Sequence, residues 1–235
     1  MYTGFSHTMA GRKRNLYVRR SNEDRVLVRR FESPDHSPAI LAAVADGVSN
    51  CADGGAVAHW LLDERLSQDP LPTETSTDLC RLIGTYLRHV HHDFLNRFAS
   101  EPDLIESACT LAGVLARGTK ACVFWCGDSP IHHLRKTSAG HEGEMLTTPD
   151  KIEGTPMLTD CFSGVTAFAF RSRSIDVSPG DLIICATDGL VLDARELAES
   201  VNQYGFCSAW IEHICAHSHA FPGSDDVGVA AIRID

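Results

Sequence analysis

The chain has 235 residues, 43% of them hydrophobic, and a formal net charge of -10. A chain of this length can form one domain whose core buries about 70% of the unfolded surface, so disulfides are not needed for stability. The nine cysteines are scattered and include no Cys-x-x-Cys pair, which is typical of a reducing compartment. The negative charge argues against nucleic-acid binding, because that binding depends on lysine and arginine neutralising phosphates.

Residues 1–20 are polar and basic and lack the apolar segment of a signal peptide. The sequence contains no run of about 18 apolar residues that could span a bilayer. We therefore expect a cytoplasmic protein with no membrane association. No internal repeat or linker divides the sequence, so residues 1–235 are predicted to form a single domain, which we expect to be monomeric.

Short apolar runs rich in branched and aromatic residues predict the strands. In chain order these are Arg25–Arg30, Ile40–Ala45, Leu111–Ala116, Ala121–Gly127, Ile131–Arg135, Val165–Arg171, Leu182–Thr187 and Val227–Ile234. The segment Lys136–Gly164 is the least regular part of the sequence, with glycine, threonine and proline breakers.

Two pairs of helices are predicted between these strands. Gly55–Leu66 comes first, followed by a longer helix whose apolar residues from Leu79 to Phe98 recur at the helical period, with Ser76 or Thr77 as N-cap. The second pair, Arg195–Val201 and Cys207–Ala216, is separated by Gly205. Clustered strands with helices inserted in pairs indicate a layered α+β domain rather than a doubly wound parallel sheet.

Acidic residues stand where apolar strands meet turns. They are Glu23-Asp24, Asp46, Asp128, Asp188 and Asp225-Asp226. Any one of them is an ordinary turn residue. If they meet, two like charges 4 Å apart repel by about 4 kcal/mol at an effective dielectric constant near 20, so the cluster needs cations or protonation. Hard oxygen ligands without a nearby Cys–His set favour Mg²⁺ or Mn²⁺ over zinc.

The motifs that contain these acids occur in a specific order. They are Arg19-x-x-Asn22-Glu23-Asp24, Ala45-Asp46-Gly47, Gly127-Asp128-Ser129, Thr187-Asp188-Gly189 and Asp225-Asp226. This ordered set, in a match that extends from Arg19 to Ile234, resembles the metal-dependent protein phosphatases of the 2C type, the PPM family. The resemblance implies a four-layer αββα sandwich in which two antiparallel sheets are flanked by pairs of helices.

The resemblance also implies the ligands of two Mn²⁺ or Mg²⁺ ions that share a bridging water, with a third ion bound more weakly. Asp46 would bridge both ions, and Asp188 and Asp225 would complete one site. Glu23 and the Gly47 carbonyl would serve the other site, partly through water. Asp128 and Asp188 would together bind the third ion.

Three residues are the expected catalytic residues on the same basis. Arg19 would grip the substrate phosphate, Asp46 would bridge the ions, and Asp24 would hold ligands or waters. Two cations lower the pKa of bridging water and clamp an in-line displacement, so hydrolysis needs no phosphoenzyme. The implied substrates are phosphoserine and phosphothreonine in proteins. The resemblance implies that the substrate protein is a partner of a serine/threonine kinase.

Departures from the family pattern keep a second function open. Val48, Pro130 and Gly228 replace residues that many members carry, and Lys136–Gly164 is too short for their longer flap segment. The alternative is a pseudophosphatase that binds a phosphoprotein or regulatory partner without turnover. A two-metal phosphoesterase acting on nucleic acid is disfavoured, because the chain has no basic stripe with aromatic platforms.

Several other features receive structural interpretations. The pairs His89/His92 and His213/His217 lack a third ligand at zinc-site spacing and are predicted to be solvated. Ser129 lacks the glycine elbow of a nucleophile. The pair Gly54-Gly55 is predicted to permit tight packing of a helix against a sheet rather than to bind phosphate.

Overall fold

The computed structural model describes residues 1–12, 22–32, 37–70, 78–155, 157–165 and 167–235. Its strands are β1 (Tyr2–Met9), β2 (Arg25–Glu32), β3 (Pro38–Ala45), β4 (Ala108–Cys109), β5 (Leu111–Arg117), β6 (Lys120–Cys126), β7 (Ile131–Thr137), β8 (Gly140–Met145), β9 (Phe162–Ser163), β10 (Arg171–Asp176), β11 (Leu182–Ala186) and β12 (Val227–Ile234). Its helices are α1 (Gly54–His59), which continues as a π-helical segment (Trp60–Leu66), α2 (Leu79–Arg97), α3 (Pro102–Ile105), α4 (Ala194–Tyr204) and α5 (Ser208–His219).

The strands form two five-stranded antiparallel sheets and one small ladder. The first sheet has the order β1-β12-β11-β7-β8, the second has the order β10-β6-β5-β3-β2, and β4 pairs with β9. In the first sheet Tyr2 lies opposite Ile234, and in the second Ile40 lies opposite Ala116. This architecture confirms the predicted α+β class with two antiparallel sheets.

Three apolar clusters separate four layers. The alternation along β3 shows how, because successive side chains point to opposite faces of a strand. Ile40 and Val44 pack between the two sheets, whereas Leu41 and Ala43 face α2 and the π-helical segment. A third cluster packs α4 and α5 on the other sheet. Central strands buried on both faces read as continuous apolar runs, which is why the sequence pattern finds them.

The strands that the sequence pattern missed or misplaced lie at sheet edges. β1, β8 and the two short strands β4 and β9 were not predicted, and the strand predicted at Val165–Arg171 is misplaced, because β10 begins only at Arg171. The residues of β1, β8 and β10 are mostly polar or partly exposed, so these strands give no apolar run. The hairpin of β7 and β8 also gives the first part of Lys136–Gly164 a regular structure that its composition did not suggest.

Local sequence signals set the helix ends. Asp78 caps α2 by accepting a hydrogen bond from the Arg81 amide at 3.1 Å, so the N-cap follows the predicted Ser76 or Thr77, which lie outside the described residues. Gly205 ends α4 with a φ of 76°, as its position in the sequence predicted. Within the described part of the chain, no helix combines the length and the apolar character needed to cross a bilayer.

Candidate active site

The loop after β3 is fixed by hydrogen bonds to the segment between β4 and β5. The Asp46 amide donates to the Thr110 hydroxyl at 3.0 Å, and the Thr110 amide donates to the Asp46 carbonyl at 2.8 Å. The Val48 amide donates to the Ala108 carbonyl at 2.9 Å. These hydrogen bonds fix the backbone that carries the Asp46 side chain just after β3.

Glycines allow helix α1 to approach this loop. A Cβ on Gly47 would lie 2.6 Å from Gly54 and Gly55 backbone atoms, and a Cβ on Gly54 would lie 2.6 Å from the Val48 amide nitrogen. A Cβ on Gly55 would lie 3.2 Å from the Glu23 side chain. The glycine pair therefore serves tight packing, as predicted, and brings Glu23 beside the Asp46 loop.

Asp24 is a buried carboxyl group directly before β2. It is 1% exposed, and one of its oxygens accepts a hydrogen bond from the Thr187 hydroxyl at 2.7 Å. The same hydroxyl accepts a hydrogen bond from the Gly228 amide at 2.8 Å. The second oxygen of Asp24, Oδ1, is buried without a hydrogen-bond partner among the described residues. Such an atom is costly unless a donor or a cation reaches it.

Asp226 positions the segment that carries Glu23. Its two carboxylate oxygens accept hydrogen bonds from the backbone amides of Gly11 at 2.6 Å and Glu23 at 2.7 Å. The Glu23 carboxylate in turn accepts a hydrogen bond from the Ser49 hydroxyl at 3.3 Å. This role of Asp226 was not predicted from the sequence, in which Asp226 stands out only as a neighbour of Asp225. The adjacent pair of acids was the signal, because one member can bind a ligand while the other holds the backbone.

The acids from separate strand ends act on one another. Burial first, and then the charges of Asp24, Asp188, Asp225 and Asp128, raise the pKa of Asp46 to about 10. Burial also raises the pKa of Asp24 to about 7, opposed by the Thr187 hydrogen bond and reinforced by Asp226, Asp188 and Asp225. The structure therefore brings these aspartates into one electrostatic environment, which sequence alone could not establish.

Asp128 has a cationic partner among the described residues. The Lys151 ammonium lies 3.2 Å from its Oδ2. The Asp128 side chain is 11% exposed and the Lys151 side chain 40% exposed. Nothing in the sequence signalled this contact, since Lys151 lies in the irregular segment between β8 and β9.

The fit of this site to divalent cations rests on its chemistry. The site is a set of hard carboxylate oxygens in which Asp46 and Asp24 have raised pKa values and Asp24 Oδ1 has no partner among the described residues, so bound cations would stabilise the charged carboxylates. Among the described residues, no three His, Cys, Asp or Glu side chains form a group that could hold a metal ion by themselves. Mutual repulsion opposes such close approach of carboxylates in the absence of a cation. The individual ligand roles predicted for Glu23, Asp46, Gly47, Asp128, Asp188 and Asp225 stay predictions.

Other residues singled out in the sequence fall as follows. Arg19, the expected phosphate-binding residue, lies outside the described residues. Ser129 is 1% exposed and its hydroxyl lies 2.7 Å from the Thr110 hydroxyl, so it is a buried structural group rather than a nucleophile. The four paired histidines are exposed, as predicted; they are His89, His92, His213 and His217.

Comparisons with known proteins agree with this fold. The structure is similar to a Streptococcus agalactiae serine/threonine phosphatase, with a TM-score of 0.80, 16% identity and 100% of both chains covered. It is similar to PppA, described as a key regulatory component of T6SS in Pseudomonas aeruginosa, with a TM-score of 0.75, 22% identity and coverage of 99% and 97%. It is also similar to the catalytic domain of PstP in complex with two manganese ions, with a TM-score of 0.77, 20% identity and coverage of 100% and 99%.

Sequence comparisons give the family itself. A comparison with curated proteins gives no match. The family model for protein phosphatase 2C matches residues 13–220, which is most of the chain. The chain belongs to the protein phosphatase 2C family.

Proposed function

We propose that this protein is a divalent-metal-dependent hydrolase of phosphoserine and phosphothreonine in proteins, acting as one domain. The observation that carries the proposal is the set of aspartates from separate strand ends whose charges, together with burial, raise the pKa of Asp46. The PstP catalytic domain, which has the same fold, binds two manganese ions. Family membership supports a protein substrate, which we expect to be a partner of a serine/threonine kinase. A cytoplasmic location and a monomeric state remain predictions from the sequence.

The proposed ligands are Glu23, Asp46, the Gly47 carbonyl, Asp188 and Asp225, with Asp128 for a weaker third ion. When bound, Mn²⁺ or Mg²⁺ ions supply a water nucleophile at neutral pH and neutralise the charge of the phosphate.

The chain itself supplies orientation. Thr110 holds the backbone of Asp46, and Asp226 holds the backbone of Glu23, so these two carboxylates face the site from fixed positions. Fixed ligands favour a reactive geometry because little is lost in ordering them when substrate binds. Arg19 is proposed to bind the phosphate through its planar set of donors.

Hydrolysis of p-nitrophenyl phosphate and of a phosphothreonine peptide, with Mn²⁺ and with EDTA, tests this proposal. Asp46→Asn and Asp188→Asn should abolish both activities. Asp176→Asn is the matched control, since the Asp176 side chain is 82% exposed on β10 and its loss should leave the activity unchanged. Undiminished turnover in EDTA would contradict metal dependence.

A pseudophosphatase is the second candidate, and the residue at position 48 favours it. Val48 offers no group that could donate a proton to the leaving oxygen. A calorimetric titration separates the two functions. Mn²⁺ binding without turnover of any phosphopeptide would select the pseudophosphatase, whereas Mn²⁺-dependent turnover would exclude it.

A further inference from the structure

The contact between Asp128 and Lys151 joins the metal-site edge to the segment that follows β8. Asp128 follows β6 and contributes to the charge that raises the pKa of Asp46, so it lies near the other aspartates. We infer that Lys151 is a tethered cation that competes with a divalent metal ion for Asp128. This inference rests on the proposed metal-dependent function.

The position of Lys151 is dictated by anchors on the residues just before it. The Trp125 indole donates a hydrogen bond to the Thr148 carbonyl at 3.1 Å, and the Asp150 amide donates to the Gly127 carbonyl at 2.9 Å. The Asp150 carboxylate also pairs with Arg171 of β10. Because these contacts fix the chain up to Asp150, the next side chain is directed to the end of β6.

An ammonium group paired with a carboxylate repels a divalent ion that approaches the same carboxylate. Lys151 lies 3.2 Å from Asp128 Oδ2, which is the distance of a direct ion pair. Asp128 is largely shielded from solvent, whereas Lys151 has 40% of its side chain exposed and can turn outward. A metal ion that binds Asp128 therefore competes with Lys151 for the charge of this carboxylate. A pair of this exposure lowers the affinity of the competing ion by about fivefold.

Displacement would act on the outer part of the segment and leave its base in place. Beyond Lys151, the Ile152 amide donates to the Met157 carbonyl at 2.9 Å, and Lys151 itself pairs with Leu158. These contacts lie past the anchors formed by Trp125 and Gly127. Metal binding at Asp128 is thus coupled to the backbone contacts of Lys151 with Leu158 and of Ile152 with Met157, and Lys151 sets the metal concentration at which these contacts loosen.

The experiment is a Mn²⁺ titration of the full chain without substrate. Binding is measured by calorimetry and by the EPR signal of free Mn²⁺. Lys151→Gln removes the competing charge, and Lys151→Arg retains a cation. Lys120→Gln is the matched control, because Lys120 forms an exposed ion pair with Asp176 at the other end of β6. Asp128→Asn removes the contested carboxylate.

We expect the dissociation constant of the weakest Mn²⁺ site to fall about fivefold in Lys151→Gln. It should stay unchanged in Lys151→Arg and Lys120→Gln. In Asp128→Asn the weak site should be lost, with or without Lys151→Gln. Hydrogen exchange at the Ile152 amide should be faster in metal-free Lys151→Gln than in the wild type. An unchanged or larger constant in Lys151→Gln, alongside two tightly bound ions, overturns this inference alone. Absence of Mn²⁺ binding in every variant overturns the proposed function as well.

Discussion

Asp46→Asn should stabilise the metal-free protein while it abolishes metal-dependent activity. In the metal-free state the pKa of Asp46 is raised from 3.8 to about 10 by burial and by neighbouring aspartates. A raised carboxyl pKa means that the folded state retains a proton that the unfolded chain releases. Stability therefore falls as the pH rises from the unfolded pKa towards the folded one. Asparagine has the same shape and no charge, so it removes this loss.

The magnitude follows from the linkage between protonation and folding. Within the window, each pH unit removes up to about 1.4 kcal/mol per group, so a single group would contribute up to about 4 kcal/mol between pH 5 and pH 8. Asp46 retains partial contact with solvent and shares its repulsion with Asp24, so we expect a net gain of about 2–3 kcal/mol at pH 8. In a chain of this size that gain corresponds to about 5–10 °C in Tm.

The assay is urea and thermal unfolding in EDTA at pH 5 and pH 8, with wild type, Asp46→Asn and the control Asp176→Asn. Asp46→Asn should exceed wild type at pH 8, and the difference should shrink at pH 5. Added Mn²⁺ should raise the stability of the wild type and have little effect on Asp46→Asn, because a ligand stabilises only the state that binds it. If metal-free Asp46→Asn were less stable than the wild type at pH 8, the Asp46 charge would not be destabilising the metal-free fold.

Three further substitutions probe the groups around the aspartates. Asp226→Asn replaces one of two acceptor oxygens by a donor, so the free energy of unfolding should fall by about 2 kcal/mol. The Mn²⁺ affinity measured by calorimetry should also weaken. An affinity equal to that of the wild type would argue against a positioning role of Asp226. Thr187→Val leaves Asp24 and the Gly228 amide without their shared hydroxyl, which should cost about 2–3 kcal/mol in urea unfolding, and an unchanged midpoint would contradict this. Gly228→Thr places a Cβ 3.0 Å from Val26 and 3.3 Å from Asp24, so the free energy of unfolding should fall by about 1–3 kcal/mol. Enhanced phosphatase activity in this variant would show instead that the residue which Gly228 replaces is a catalytic group.

The sequence predicts the buried parts of the fold better than its margins. β3 and β11 are apolar throughout because both faces are covered, and the pattern located them to within a few residues. β1, β8 and β10 are edge strands with mostly polar or partly exposed residues, so the apolar pattern missed β1 and β8 and placed β10 several residues too early. β1 and β10 pair with strands that are distant in the sequence, β12 and β6, and a local pattern does not contain this information.

The candidate site shows the same division. The aspartates could be located because each follows or precedes an apolar strand, and their order along the chain carried the family resemblance. The supporting contacts could not be located, since they join residues far apart in the sequence. Asp226 holds Gly11 across 215 positions, and Lys151 reaches Asp128 across 23. Such contacts depend on how the sheets and loops pack together.

The central claim is that the aspartates at these strand ends bind the metal ions that activate hydrolysis. An anomalous-scattering map from crystals soaked in Mn²⁺ tests it directly, because it locates the ions independently of any activity. We predict two strong peaks, both bound to the Asp46 carboxylate, with Asp188 and Asp225 completing one of the two sites. A map with no peak at Asp46, or with ions bound only elsewhere, would contradict metal binding by these aspartates.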